Sequence, residues 1–196
     1  MYEKFGKSFK DIADLKVSFF KDNDRHLKRT LNFAQLYTAQ PARRACKICA
    51  SSLQDKPSFV KHEVPYVVCE KCGQLNGMHE DTDAFCKAVY TASGGKDYAE
   101  NYTSADAQAY DKRRDAIYVP KADFLLDVLR RLGESPEALT YADMGAGAGY
   151  FVSAMIQLGV RNISGYEVGK AQVDLGNWMM PSAPLELIEL HDTSKL

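Results

Sequence analysis

Long apolar runs are missing from this chain of 196 residues: no stretch of about 18 consecutive apolar residues occurs, so no membrane-spanning helix is expected. The opening residues, Met1-Tyr-Glu-Lys-Phe-Gly-Lys-Ser-Phe-Lys10, lack the apolar core of a secretory signal. An excess of charge of one sign is also missing. The net charge is −1, which leaves no global basic field to attract nucleic acid or an anionic membrane. There is no internal repeat and no low-complexity segment. What remains is an ordinary globular composition, 45% hydrophobic and 26% charged, long enough for one large domain or two small ones. The chain is expected to be cytoplasmic.

Charge is nevertheless uneven. Residues 1–45 hold about 10 Lys or Arg against 5 Asp or Glu, and the remainder is acidic. This segment reads as a basic, partly helical arm, either a solvated surface or a docking surface for an anionic partner. Leu27, Leu31, Ala34 and Leu36 lie near helical spacing and are expected to pack.

Cysteine is present in a pattern. Cys46-Lys-Ile-Cys49 and Cys69-Glu-Lys-Cys72 are separated by 19 residues, the spacing of a paired-knuckle zinc site. Each Cys-x-x-Cys turn aims two thiolates at one ion, and two such turns complete a tetrahedron. Disulfides would need an oxidising compartment, and a redox motif would need only one pair. Four thiolates leave no position for water, so the expected zinc is structural. A module of this size has little core of its own and depends on such a staple. Gly73 follows the second knuckle, where positive φ is useful, and Val64 to Val68 reads as a ribbon strand. His62 and His79 are expected to be surface histidines, and Cys86 a buried thiol on a helix spanning Glu80 to Tyr90.

A second pattern is Tyr-Ala-Asp143-Met-Gly145-Ala-Gly147-Ala-Gly149-Tyr150. A short β-prone stretch ends in Asp143, glycines follow, and a helical period begins with Phe151, Met155 and Leu158 on one face. Strand, tight glycine turn and helix let a backbone approach a ligand closely. A dinucleotide fingerprint is a poorer fit, because Tyr150 occupies the place of its third glycine, and no Gly-Lys-Ser/Thr follows for a phosphate loop. A second strand, Asn162-Ile-Ser-Gly-Tyr-Glu167, ends in an acid 24 positions after Asp143. The helix before the turn starts at Pro120, with Phe124, Leu125, Val128, Leu129 and Leu132 as its apolar face. Trp178, Met179 and Met180 are expected in the core, and Leu185 to Leu190 as a third strand.

The spacing Asp-x-Gly-x-Gly-x-Gly followed by Glu167 resembles motif I and the second-strand acid of class I S-adenosylmethionine-dependent methyltransferases. With a four-cysteine module in front, the order resembles bacterial sugar methyltransferases, including the sugar C-methyltransferases. The resemblance covers roughly Cys46 to Leu190. It implies an α/β fold: a partial Rossmann-like, doubly wound parallel sheet preceded by a zinc ribbon and a helical arm. The implied divisions are 1–45 arm, 46–79 zinc ribbon, 80–119 tyrosine-containing helical linker and 120–196 the N-terminal half of the cofactor domain. It implies that Asp143, Gly145, Gly147, Gly149 and Glu167 bind S-adenosylmethionine, that Glu167 holds the ribose, and that Tyr98 and Tyr102 face the active site. The implied reaction is methyl transfer to a small sugar or nucleotide sugar, within carbohydrate biosynthesis. Ribosomal RNA methylation and a non-catalytic cofactor-binding or assembly module are the competing readings. Only about three sheet strands are supplied, which reads as a fragment of a longer enzyme or a shortened relative. Its unpaired, apolar sheet edge predicts a chain that dimerises, aggregates or is marginally stable. The closing Ser194-Lys195-Leu196 matches a peroxisomal address but is read as incidental.

Overall fold

The computed structural model describes residues 3, 9–15, 21–91, 106–183 and 185–188. It is a mixed helix-and-sheet protein with two small sheets. Chain contacts divide it into two compact units, Ser18–Val89 and Met1–Val17 with Tyr90–Leu196. A short helix, α1 (Phe9–Leu15), belongs to the second. Among the described residues, no helix is long and apolar enough to cross a membrane.

The unit Ser18–Val89 begins with α2 (Asn23–Thr38). An antiparallel sheet follows, built from β1 (Phe59–Lys61), β2 (Val64–Val68) and β3 (Leu75–Gly77) in the order β1-β2-β3. His62 and Glu63 make the two-residue turn between β1 and β2, both at positive φ (49° and 66°), the backbone of a type I′ hairpin. Phe59 stacks on its cross-strand partner Tyr66 with ring centroids 5.3 Å apart. α2 meets this sheet only through its last turns. Ala34 and Tyr37 are buried, while Leu27, Leu31 and Leu36 stay exposed, so the expected apolar stripe is corrected to its C-terminal end. The reason is reach: a helix of 16 residues is about 24 Å long, far longer than a three-stranded ribbon can cover.

Arg43 and Tyr37 join α2, the segment after it and the ribbon. The Tyr37 hydroxyl donates to the His79 carbonyl and accepts from the His79 amide. Gly77 has to be glycine, because a Cβ there would lie 2.2 Å from the Tyr37 oxygen. The Arg43 side chain, 8% exposed, donates to the Gly77 and His79 carbonyls and pairs with Glu80 and Asp81. A buried guanidinium is tolerated only with such partners. His79 is half-buried, and its Nδ1 lies 2.8 Å from the Gln40 carbonyl, so it is a joint residue rather than a surface one. The helix expected from Glu80 starts later. Thr82 Oγ1 caps it by accepting from the Phe85 amide, giving α3 (Asp83–Cys86) and then a π-helical turn, Lys87–Thr91. Cys86 is only half-buried there.

In the other unit, α4 (Ala107–Arg113) is capped by Asp106 and runs through a π-helical turn (Arg114–Tyr118) into α5 (Val119–Arg131). The parallel sheet consists of β4 (Tyr141–Met144), β5 (Ile163–Glu167) and β6 (Glu186–Leu187), in the order β4-β5-β6. Helix α6 (Tyr150–Gln157) connects β4 to β5, and α7 (Lys170–Met179) connects β5 to β6. Such crossovers are what parallel strands require. Met155, Ala154, Ala122 and Leu126 are almost fully buried together, with Phe151 and Leu158 packed against them as their spacing predicts.

Two expectations about faces and one about a strand's extent are corrected. α5 turns Ala122 and Leu126 inward and leaves Phe124 and Leu132 exposed, because a small alanine lets it approach Ala154 of α6 closely. Trp178 is 61% exposed: Val173, Gly176 and Met180 face the sheet at spacings of three and four, and Trp178 lies about half a turn from Gly176. Met180 is buried as expected. The third strand is the pair Glu186–Leu187, anchored by buried Leu185; Glu189 and Leu190 fall outside the described residues.

Candidate metal centre and candidate ligand cavity

The two cysteine turns are built alike. The Ala50 amide donates to the Cys46 carbonyl and the Cys46 amide to Ser51; the Gly73 amide donates to Cys69 and the Cys69 amide to Gln74. The residue after each second cysteine takes the left-handed backbone, Ala50 at φ 56° and Gly73 at φ 74°. These matched knuckles bring the sulfurs of Cys46, Cys49, Cys69 and Cys72 within 4.8 Å of one another. The Cys46–Cys72 and Cys49–Cys69 separations are both 3.6 Å. A tetrahedron with Zn–S bonds of about 2.3 Å has edges of about 3.8 Å, so the cluster fits a metal ion such as zinc.

Its electrostatics ask for a cation. The Cys49 and Ile48 amides aim at Cys46 Sγ and, with the Asn76 amide, hold its thiol down at about 6. Ser51 lowers Cys49 likewise. The Gln74 amide favours the Cys72 thiolate too, but burial and the three neighbouring sulfurs outweigh it and push Cys72 up to about 12. Four thiolates cannot coexist at this distance without positive charge between them. Asn76 has no accessible surface: its Nδ2 lies 3.6 Å from Cys46 Sγ and donates to the Gln74 carbonyl, and its Oδ1 accepts from the Lys47 amide. Sequence reading missed this orienting residue, because an asparagine in a strand carries no spacing signal. His62 is exposed in the hairpin turn, and neither His62 nor His79 belongs to the cluster.

The glycine turn and Glu167 meet at the carboxyl ends of β4 and β5, where parallel sheets place ligands. The register pairs Asp143 with Gly165 and Met144 with Tyr166. The Gly145 and Ala146 amides donate to the Tyr166 carbonyl, and the Gly149 amide to Ala146. Glu167, 7% exposed, accepts at Oε2 from the Gly147 amide and at Oε1 from the Val168 and Gly169 amides. The Asp143 side chain makes no hydrogen bond or ion pair among the described residues. Its carboxyl is raised above the ordinary range by burial and then by the Glu167 charge.

Asp143, Gly145, Ala146, Gly147, Ala148 and Glu167 line a cavity of about 450 Å³ together with Tyr90, Tyr118, Tyr150, Phe151, Val168 and Gln172; Gly149 instead packs against Met180 and Leu185. Among the described residues, no lysine or arginine lines the cavity. Two carboxylates stand in this lining, and four of the turn's amides are already engaged, so its described groups disfavour a phosphate. Tyr150, where a dinucleotide fingerprint would need glycine, is buried between Tyr110 and Tyr118 with ring centroids 4.3 and 5.2 Å away. The Tyr110 hydroxyl donates to the Ala148 carbonyl, which fixes the end of the turn. Tyr98 and Tyr102 lie outside the described residues. The tyrosines found at the cavity are Tyr90, Tyr118 and Tyr150, which tyrosine content alone could not single out.

Gly149 opens α6 at φ 74°, and a Cβ there would lie 2.3 Å from Met180 Cε and 3.2 Å from Leu185. Gly149→Ala is expected to cost about 1–2 kcal/mol from the left-handed backbone alone. Thermal denaturation checks it: a Tm at or above that of the parent would contradict the fit.

No family model matches the chain, and no curated protein matches it by sequence.

Proposed function

We propose that the chain binds S-adenosylmethionine in the cavity at β4 and β5 and takes part in methyl transfer, with a structural zinc in the four-cysteine cluster. The observation that carries this reading is the meeting of Asp143, Gly145, Gly147 and Glu167 in one cavity whose lining, among the described residues, has no basic side chain. The parallel order β4-β5-β6 with helical crossovers is consistent with part of a Rossmann-like, doubly wound sheet. The proposed acceptor is a small sugar or nucleotide sugar, on the resemblance of the module order.

In this reading Gly145, Gly147 and Gly149 shape the turn against the cofactor. Glu167 holds the ribose, and Asp143 faces the cationic end. The aromatic side chains Tyr118 and Phe151 exclude water from the cavity. When bound, the cofactor supplies an electrophilic methyl group on a sulfonium. The protein's task is to hold the acceptor in line with that methyl–sulfur bond, while a base receives the proton the acceptor gives up.

Titration calorimetry with S-adenosylmethionine is expected to show one site. Affinity is expected to fall as pH drops through the raised Asp143 value, because protonation removes a negative charge facing the cation. Absence of binding at millimolar cofactor would refute the reading. Transfer of labelled methyl to nucleotide sugars then tests the acceptor class.

A further inference from the structure

Tyr90 lines the cavity and keeps 39% of its surface exposed, so its ring still has area to bury against a ligand. It stands in the π-helical turn Lys87–Thr91, which continues α3 without a break. Such turns are rare and recur at functional sites. The chain passes from the ribbon unit to the cavity unit inside this turn, since Val89 is the last residue of the one and Tyr90 belongs to the other. The placement of Tyr90 therefore depends on what holds the start of the helix.

That start is tied to the four-cysteine cluster. Thr82, which caps α3, donates from Oγ1 to Gln40 Oε1 at 2.6 Å. Asp81, next to the cap, pairs with Arg43 and with Lys47, and Lys47 stands between Cys46 and Cys49 in the first knuckle. Phe85 of α3 packs on Tyr37 with ring centroids 5.4 Å apart. α3 has four residues and the π-helical turn five, too few to be stable alone in water. The helix exists because these contacts hold it. Loss of the ion loosens the knuckle that carries Lys47, and with it the helix that carries Tyr90. We infer that Tyr90 is a binding residue of the cavity held in place by the ribbon, so that metal at the four cysteines and ligand in the cavity strengthen each other's binding. The inference rests on the cofactor reading. The coupling runs through named contacts, from the first knuckle through Lys47, Asp81 and α3 to Tyr90. Linkage makes it equal in both directions.

The test is an equilibrium competition for zinc between the full chain and a metallochromic chelator, with and without saturating S-adenosylmethionine. Calorimetry of the zinc-loaded chain with S-adenosylmethionine accompanies it, and neither measurement requires a metal-free chain that stays folded. S-adenosylmethionine is expected to raise the zinc affinity of the parent about tenfold. Tyr90→Ala is expected to keep one zinc per chain, to bind S-adenosylmethionine about tenfold more weakly, and to lose the effect of the ligand on zinc. Tyr90→Phe, which keeps the ring, is expected to behave like the parent. A parent that binds S-adenosylmethionine with no change in its zinc affinity overturns the coupling. Coupling that survives in Tyr90→Ala overturns the role of Tyr90. Both of these results leave the cofactor reading standing. Failure of the zinc-loaded parent to bind S-adenosylmethionine overturns the cofactor reading and this inference with it.

Discussion

Cys69→Ser is expected to abolish stoichiometric metal binding and to unfold the ribbon. Cys69 is 2% exposed and lies 3.6 Å from Cys49 Sγ. Its substitution leaves three sulfurs and a weakly basic hydroxyl around an ion that needs four soft ligands. The consequence is large because little else holds this part of the chain. The strands have three, five and three residues, and few of their side chains are buried. In comparable small sites metal binding supplies about 10–16 kcal/mol of apparent folding free energy. Chelation of the parent should therefore have the same effect as the substitution. Elemental analysis should find one zinc in the parent and none in the variant, and limited proteolysis should cut between Cys46 and Gly77 only after metal loss. Asn76→Ala should be milder, weakening metal affinity about 10–100-fold, because it removes a group that orients Cys46 and not a ligand. Full metal content in Cys69→Ser would overturn the four-sulfur site.

Glu167→Ala is expected to cost both ligand affinity and stability. Its two oxygens satisfy the amides of Gly147, Val168 and Gly169, and all three donors lose their partner together. An unsatisfied buried donor costs about 1–3 kcal/mol, so a drop in Tm should accompany a fall in cofactor affinity of at least about a hundredfold. The same charge helps hold Asp143 above the usual carboxylate range, after burial itself. The sign follows from linkage. An acid whose folded value is raised contributes stability that is complete below its unfolded value and is lost as pH rises through the folded one. Removing the Glu167 charge lowers the Asp143 value, so less stability is lost between acid and neutral pH in the variant. A pH series of Tm values separates this partial relief from the loss of the three hydrogen bonds. Unchanged affinity for S-adenosylmethionine in Glu167→Ala would contradict the ribose role proposed for it.

The legibility of these sites in the sequence follows from their geometry. Cys46, Cys49, Cys69 and Cys72 stand out because a knuckle is a local structure: two residues between cysteines dictate where two sulfurs point, whatever the rest of the chain does. Asp143, the glycines and Glu167 are legible for a similar reason. A strand, a turn needing positive φ at Gly145, Gly147 and Gly149, and a crossover helix leave few ways to space two strand ends. The acidic character of the described cavity lining could be guessed only in part, because it depends on which side chains reach it.

The choice of buried face belonged to the tertiary structure. In α5 the run Phe124-Leu125-Leu126 offers apolar residues on every side, and only the approach of Ala154 and Met155 selects Ala122 and Leu126. Trp178 reads as core by size, yet Gly176 is what lets α7 sit against Leu185 and Ala148, which turns the indole outward. Asn76 and Arg43 are polar residues whose burial no local pattern announces. Their roles arise from contacts over 30 or more residues. By itself the sequence determined the four-cysteine cluster, the glycine turn and its two acids, because short-range backbone geometry encodes them. Which helix faces are buried and which polar groups support the sulfurs were decided by packing between segments distant along the chain.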